Sequence, residues 1–189
     1  MPWACMLSGV SITPGSPPPM LRSFNGKSPR IHPTAFVSEA AYLVGDIEVG
    51  EHSSIWPGVV IRADNGKITI GASTNIQDNA VVHADHGAAI GDHVTLGHGV
   101  VCHAARVGDG ALLGNGCVVN EGAVIGRSAL VAANSVVLEG AEVADETLVA
   151  GAPARVRGQV AKRHRDMMDD TWHHYVAKAA EFKREGGLE

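Results

Sequence analysis

The sequence predicts a mainly β fold, a parallel β-helix of nearly seven coils followed by one C-terminal α-helix. The first observation is a comb of aliphatic residues at every sixth position, twenty in all, between Ile31 and Val149. The second is a small residue four positions after many of these, with Gly often directly following the aliphatic residue. The third is composition: 45% of residues are apolar but only 4% are aromatic, so the interior must be built from Val, Ile, Leu and Ala.

Each six-residue unit is predicted to form one side of a three-sided coil. The comb does not show the 3.6-residue period of an amphipathic helix. Hydrogen bonds would run between successive coils, and each aliphatic side chain would stack on its counterparts above and below. The members of the comb are Ile31, Val37, Leu43, Val49, Ile55, Ile61, Ile70, Ile76, Val82, Ile90, Leu96, Cys102, Val107, Leu113, Val119, Ile125, Val131, Val137, Val143 and Val149.

The comb breaks three times, always between residues 61 and 107. Three residues are inserted near Asn65, two are inserted near His86, and one is missing between Cys102 and Val107. Histidines are concentrated in the same part of the chain, and loops that interrupt a regular scaffold often carry function. We therefore expect the functional site here.

The pattern divides the chain into three parts. Residues 21–157 are predicted to form the β-helix domain, and residues 1–20, with their Ser-Pro-Pro-Pro run, a disordered N-terminal extension. Residues 158–189 are predicted to form a C-terminal helix, because apolar residues from Met168 to Phe182 step by three or four. Its apolar face should pack on the outside of the coil or on a neighbouring chain.

Charge and cysteine content argue against several classes of protein. The formal net charge of −5 at pH 7 provides no positive surface for nucleic acid or an anionic membrane, so neither is expected as a partner. No apolar run is long enough to span a bilayer. The three cysteines lack CxxC spacing and the density of a disulfide scaffold, which predicts a reducing, cytoplasmic location.

Two histidines are predicted to stack on one side of the coil. Arg62, His83 and His103 each directly follow a position of the comb. Those comb positions are separated by three units, which is one full coil, so the three side chains should project outward as one column. Adjacent rungs lie roughly 4.8 Å apart, which would let His83 and His103 share a metal ion. His98 and Asp78 occupy matching positions on the preceding side. A single chain has difficulty closing all three histidines on one ion, which favours a trimer with sites at its interfaces.

Three neutral imidazoles with an open fourth position are the ligand set of a catalytic zinc ion. Such an ion lowers the pKa of a bound water to about 7, which yields a nucleophile at neutral pH. His86, in the two-residue insertion, is a further candidate as a ligand or proton carrier. Ordinary surface positions are expected for His32, His52, His93, His164, His173 and His174.

The comb is similar to the hexapeptide repeat, and the residues placed on it resemble those of the γ-class carbonic anhydrase family. Hexapeptide acyltransferases share the comb but not this constellation. The resemblance covers about residues 21–185 and implies a left-handed β-helix and reversible hydration of CO2 to bicarbonate by a metal-bound hydroxide. The residues that carry it are Arg62-x-Asp64, Asn75-x-Gln77-Asp78, His83, His98 and His103, followed by Gly151-Ala152-Pro153-Ala154 and the final helix.

The same resemblance implies an assembly and a ligand set. It implies a homotrimer that binds zinc, or iron or cobalt, at subunit interfaces. The ligands would be His83 and His103 of one chain and His98 of the next.

Catalytic roles follow from the resemblance as well. Gln77 and Asn75 are implied to orient hydroxide and CO2. Arg62, with Asp64 or Asp78, is implied to hold the subunit interface and to handle bicarbonate.

One departure from the family concerns proton export. Its best-studied member has a glutamate directly after Arg-x-Asp and a longer acidic loop, whereas this chain has Asn65 and a short loop in which Asp85 or His86 would have to substitute. Activity is therefore expected to be low.

Tyr175, on the C-terminal helix, matches a tyrosine that reaches the active site in shorter members of the family.

Two alternatives to a carbonic anhydrase stay open. One is an acyl-CoA transferase or thioesterase built on the same scaffold. The other is a non-catalytic, metal-binding structural subunit of a larger complex.

Overall fold

The computed structural model describes residues 19–185 and shows a parallel β-helix of about seven turns with a single C-terminal α-helix. This confirms the predicted fold class. Most of the extension predicted over residues 1–20 lies outside the described residues. The first strand already begins at Met20, which pairs with Tyr42, one residue before the predicted start of the β-helix.

Most strands are only two residues long because a corner follows every few residues. In chain order they are β1 (Met20–Arg22), β2 (Arg30–Ile31), β3 (Phe36–Val37), β4 (Tyr42–Val49), β5 (Ser54–Ile55), β6 (Val60–Ile70), β7 (Asn75–Ile76), β8 (Val81–His83), β9 (Ala88–Ile90), β10 (Thr95–Leu96), β11 (Val101–Cys102), β12 (Arg106–Val107), β13 (Leu112–Leu113), β14 (Val118–Val119), β15 (Val124–Ile125), β16 (Leu130–Val131), β17 (Val136–Val137), β18 (Glu142–Val143), β19 (Thr147–Ala150) and β20 (Arg155–Gln159). The helix α1 spans Lys162–Glu185.

The strands stack into three columns, which we call sides A, B and C. Side A contains β8, β11, β14 and β17, side B contains β9, β12, β15 and β18, and side C contains β3, β5, β7, β10, β13, β16 and β19. The longer β4 and β6 turn a corner and belong to both A and B. The pairing is parallel and in register, so that Ile61 lies beside Val82 and Val82 beside Cys102.

The aliphatic comb forms the interior, as predicted. Its members from Leu43 to Val149 are at most 8% exposed. Ile31 and Val37 are only partly buried, because they belong to the first coil, which has a neighbour on one side only. Cys102 and Cys117 are free and buried. Burial raises the pKa of Cys102 to about 11 and that of Cys117 to about 12, so both thiols act as small apolar groups.

The corners hold several side chains in fixed positions. His52 and His93 have φ values of 56° and 57°, a turn conformation in which His is one of the few enriched residues other than Gly. At Gly97 the requirement is space, because a Cβ there would collide with the Asn115 side chain one coil away. Asn115 accepts a hydrogen bond from the backbone N–H of His98 at 3.1 Å, so this corner fixes the backbone that carries His98.

The three-residue insertion near Asn65 does not form a separate loop, contrary to expectation. β6 runs unbroken from Val60 to Ile70 across the corner between sides A and B. The shorter strand β4 pairs with both of its ends, and the register shifts between Gly45 and Ile47. The extra residues therefore bulge between two paired stretches without ending the strand.

The chain after the comb differs from the prediction. Arg155–Gln159 forms the strand β20, antiparallel to β19, and the helix therefore begins at Lys162 rather than near residue 158. After the Gly and Pro that follow the comb the chain reverses direction. The last strand of side C then offers an edge of unpaired backbone groups, and β20 pairs with it.

The helix packs on side C of its own coil, one of the two predicted positions. Trp56 on side C has its ring centroid 5.2 Å from Phe36, 5.3 Å from Tyr175 and 5.2 Å from Phe182. At the other end of the helix, Met168 packs in a second buried cluster. Among the described residues, no helix combines the length and apolarity needed to cross a membrane.

The outer faces of the three sides differ. Side C lies beneath α1, and side B carries polar residues such as Glu48, Thr69 and Arg106. Side A instead carries an outward row of apolar residues, each partly exposed. We call this row the apolar column; it consists of Tyr42, Val60, Val81, Val101, Val118 and Val136.

Candidate metal centre

The predicted column of Arg62, His83 and His103 exists on side A. His83 ends β8 and pairs with Arg62 of β6, and His103 directly follows β11, whose Cys102 pairs with Val82. The imidazole centroids of His83 and His103 lie 5.1 Å apart, close to the spacing of neighbouring strands. The placement of the two side chains on neighbouring rungs of one column is therefore confirmed, while their role as ligands is a prediction.

His83 is held from both ends of its ring. It is only 4% exposed, and its Nδ1–H donates to the backbone carbonyl of Arg62 at 2.7 Å. Its Nε2 lies 3.3 Å from an oxygen of Asp85. This contact is favourable when Nε2 is protonated and donates to the carboxylate, or when a cation lies between the two atoms. Nε2 of His83 therefore faces a position suited to a positive charge.

His103 has a carboxylate partner that sequence reasoning missed. Its Nδ1 lies 3.2 Å from Oε2 of Glu121. Glu121 is not part of the comb, so no pattern of the repeat drew attention to it. The sequence nonetheless contained a clue to this contact. Asn120 occupies the position of His103 one coil later, and Glu121 directly follows Asn120.

His98 lies at the corner between sides C and A, in contact with Asp78. Its Nδ1 is 3.0 Å from Oδ2 of Asp78, which occupies the matching position on the preceding coil. The His98 side chain is 50% exposed. Its Nε2 is thus presented at the surface of the coil, on a backbone held by Asn115.

These contacts test whether the histidines fit a metal ion. In each of His83, His98 and His103, Nδ1 faces an oxygen acceptor, so Nδ1 carries the proton and the lone pair lies on Nε2. Metal-binding histidines almost always donate their other ring N–H to a carboxylate or carbonyl in this way. The residues present therefore fit a divalent ion with imidazole ligands.

One chain alone does not bring the three rings together. Within residues 19–185, no three His, Cys, Asp or Glu side chains form a group that could hold a metal ion. The candidate residues fall into two sets instead. The column half-site on side A consists of Arg62, Asp64, His83, His103 and Glu121. The corner half-site consists of Asn75, Gln77, Asp78, His98 and Tyr175.

Arg62 and Asp64 form an ion pair inside the chain. The guanidinium Nη1 lies 2.5 Å from Oδ2 of Asp64. Burial acts to raise the pKa of Asp64, but the hydrogen bond and charge of Arg62 outweigh it, so the pKa lies below its usual value. Oδ1 of Asp64 is buried without a hydrogen-bond partner among the described residues. This charged oxygen is available to accept a hydrogen bond.

Asn75 and Gln77 are buried and joined to each other. Gln77 Nε2 donates to Asn75 Oδ1 at 3.0 Å, and Asn75 Nδ2 donates to the Thr95 hydroxyl at 2.8 Å. Both residues lie next to the Ile76 core position. These hydrogen bonds fix the two amides, and the Gln77 carbonyl oxygen has no hydrogen-bond partner among residues 19–185.

Tyr175 lies on α1 and belongs to the corner half-site. Its ring packs edge-on against Trp56. Burial raises the pKa of Tyr175, and the negative charge of Asp78 raises it further. The phenol is therefore a neutral hydrogen-bond donor.

The two-residue insertion lies over the column half-site. Asp85 and His86 are exposed, and Asn65 Nδ2 donates to Asp85 Oδ1 at 3.4 Å. Asp85 is thus the insertion residue that reaches His83. His86 is at the surface of the loop, where it can exchange protons with solvent.

Known proteins similar to this chain include named carbonic anhydrases. The carbonic anhydrase of Geobacillus kaustophilus is 39% identical over 166 residues, which cover 87% of this chain and 91% of that protein. The mitochondrial gamma carbonic anhydrase 1 of Arabidopsis thaliana is 36% identical over 137 residues, 68% of this chain and 50% of that protein. No family model matches the chain.

Two other similarities have different names. The carnitine operon protein CaiE of Escherichia coli is 37% identical over 153 residues, 80% of this chain and 74% of that protein. A crystal structure of a hexapeptide transferase family protein from Anaplasma phagocytophilum superimposes with a TM-score of 0.83 at 35% identity, covering 86% of this chain and 98% of that one. The scaffold is thus shared by proteins with more than one name.

Proposed function

The chain belongs to the γ-class carbonic anhydrase family, and on that premise we propose that it catalyses the metal-dependent, reversible hydration of CO2 to bicarbonate. The observation that carries the proposal is the common orientation of three imidazoles. Each of His83, His98 and His103 has Nδ1 against an oxygen acceptor, which leaves Nε2 as the nitrogen of each neutral ring that can bind a metal ion.

We propose a homotrimer in which each site is shared by two subunits. The column half-site of one chain would meet the corner half-site of the next, so that His83 and His103 join the partner's His98. The apolar column supports this assembly, because a row of Val and Tyr side chains on one face of a soluble coil favours burial against another surface. The polar face of side B and the helix on side C leave side A for the subunit contact.

His83, His98 and His103 would hold a zinc ion, with iron or cobalt as the alternative metals. Three imidazoles around such an ion leave one position open, and the ion then supplies a hydroxide nucleophile near neutral pH. The surrounding carboxylates of Asp64, Asp78 and Glu121 balance its charge.

The chain's own residues would position the reactants. Gln77, fixed by Asn75, presents its carbonyl oxygen to accept a hydrogen bond from the attacking oxygen, which orients it toward CO2. Asp64, whose carboxylate is held in place by Arg62, would help to handle bicarbonate. Tyr175, whose ring packs on Trp56, would contribute to the site from α1.

The test is a CO2 hydration assay on protein purified without air and loaded with zinc, iron or cobalt. We expect activity in the loaded protein, its loss on chelation and its return when the ion is restored. Because Asn65 cannot carry a proton, we expect the rate to rise with buffer concentration as buffer takes over proton export. An absence of hydration with one ion bound per subunit, for every metal, would overturn the proposal.

Acyl transfer or thioester hydrolysis is the second candidate, because the scaffold superimposes on a hexapeptide transferase family protein. The same protein preparations should be assayed with acetyl-CoA. Thioester hydrolysis that survives chelation would favour this candidate, whereas metal binding without either activity would favour a structural subunit.

The free thiols of Cys102 and Cys117 support the cytoplasm as the location.

A further inference from the structure

We propose that Glu121 is a positioning residue that couples the metal ligand His103 to the loop formed by residues 84–87. This inference rests on the proposed function, since it assigns Glu121 a part in preparing that site. Glu121 does not reach the position where the Nε2 lone pairs would meet. It acts on His103 from the opposite side of the ring.

One carboxylate oxygen makes both contacts. Oε2 of Glu121 lies 3.2 Å from Nδ1 of His103 and accepts the backbone N–H of Asp85 at 3.4 Å. The Glu121 side chain is 30% exposed, so solvent screens the contact only in part. A single side chain from the following coil therefore joins the two neighbouring rungs that carry the predicted ligands.

The first contact sets the state of His103. A negative acceptor at Nδ1 keeps the proton on that nitrogen, fixes the ring orientation and makes Nε2 a stronger donor to a metal. His83 has a backbone carbonyl in the same place, whose position follows from the strand. His103 has no strand carbonyl at Nδ1 in the described contacts and depends on a side chain instead.

The second contact sets the loop. Asp85 approaches Nε2 of His83 at 3.3 Å, and its backbone N–H is bound by Glu121. Loss of the Glu121 carboxylate would therefore release Asp85 together with the ring of His103. Glu121 therefore differs from a carboxylate that only covers the coil surface, because it contacts both His103 and the loop.

The repeat supplies a matched control. Val119 pairs with Val137, so Glu139 occupies the position of Glu121 one coil further along, and its side chain is exposed. Glu139→Ala removes the same group from the same kind of turn. Glu121→Gln keeps an oxygen acceptor but removes the charge.

The experiment measures the affinity of the trimer for zinc by competition with a chromogenic chelator, and the absorption spectrum of the cobalt-loaded protein. We expect Glu121→Ala to weaken zinc binding about 10- to 100-fold and to change the cobalt spectrum. Glu121→Gln should fall between this variant and the unmodified protein, and Glu139→Ala should match the unmodified protein. Equal affinity and equal spectra for all four proteins would overturn the inference.

A second readout needs no metal. In metal-free protein, hydrogen exchange at the Asp85 amide should be faster in Glu121→Ala than in Glu139→Ala, and unchanged exchange would overturn the coupling to the loop. The two proposals can thus fail separately. Zinc binding that depends on Glu121 without CO2 hydration would overturn only the proposed function, whereas hydration with zinc binding indifferent to Glu121 would overturn only this inference.

Discussion

His98→Ala is expected to lower CO2 hydration at least about 100-fold and to abolish tight metal binding. Loss of a group that only orients a metal ligand typically costs about 10- to 100-fold in affinity or activity, and loss of a ligand should cost more. The fold should survive, because the side chain is 50% exposed and the backbone is held by Asn115. Metal content and stopped-flow hydration measured on the same preparation check this.

A matched control is His52→Asn. His52 is an exposed corner histidine with positive φ, and Asn tolerates that conformation. The control should keep its metal and its activity. Hydration by His98→Ala at the level of the control would remove His98 from the site and contradict the proposed ligand set.

Val101→Glu is expected to convert the proposed trimer into monomers that retain the coil but bind no metal tightly. Val101 points outward in the middle of the apolar column, between Val81 and Val118. A carboxylate there would be buried without a partner in each of the subunit contacts, at a cost of several kcal/mol per ion. Light scattering would report the mass, and circular dichroism would report the fold.

Ala89→Glu provides the comparison for this substitution. Ala89 occupies the equivalent outward position on side B, where it is exposed and pairs with Thr69 and Arg106. This variant should stay trimeric and bind metal normally. A trimeric, fully metal-loaded Val101→Glu protein would show that side A is not the subunit contact.

The coil was predictable because its signal is repeated. A single unit such as Leu113 with its neighbours would be compatible with several secondary structures. The same spacing recurs through the chain, however, and the units taken together favour one fold. The two features that differed each occur once: the bulge near Asn65 depends on the pairing of β4 with both ends of the longer β6, and β20 depends on a free strand edge. Neither leaves a periodic trace in the sequence.

The column of the site was predictable for the same reason. Counting from the comb places Arg62, His83 and His103 on successive rungs, and the structure has them there. The partners of the imidazoles were harder to foresee. Asp78 follows from the repeat, but Glu121 reaches His103 through side-chain conformation, which spacing alone does not determine.

The most direct test of a shared site is a trimer assembled from two complementary variants. One chain carries His98→Ala and the other carries His83→Ala with His103→Ala, and neither should be active alone. Co-expression with two different affinity tags, followed by purification through both, yields trimers in which one interface combines three intact histidines. Such trimers should recover about one third of the activity of the unmodified protein. Recovery no greater than that of either variant alone would contradict a site built from two subunits.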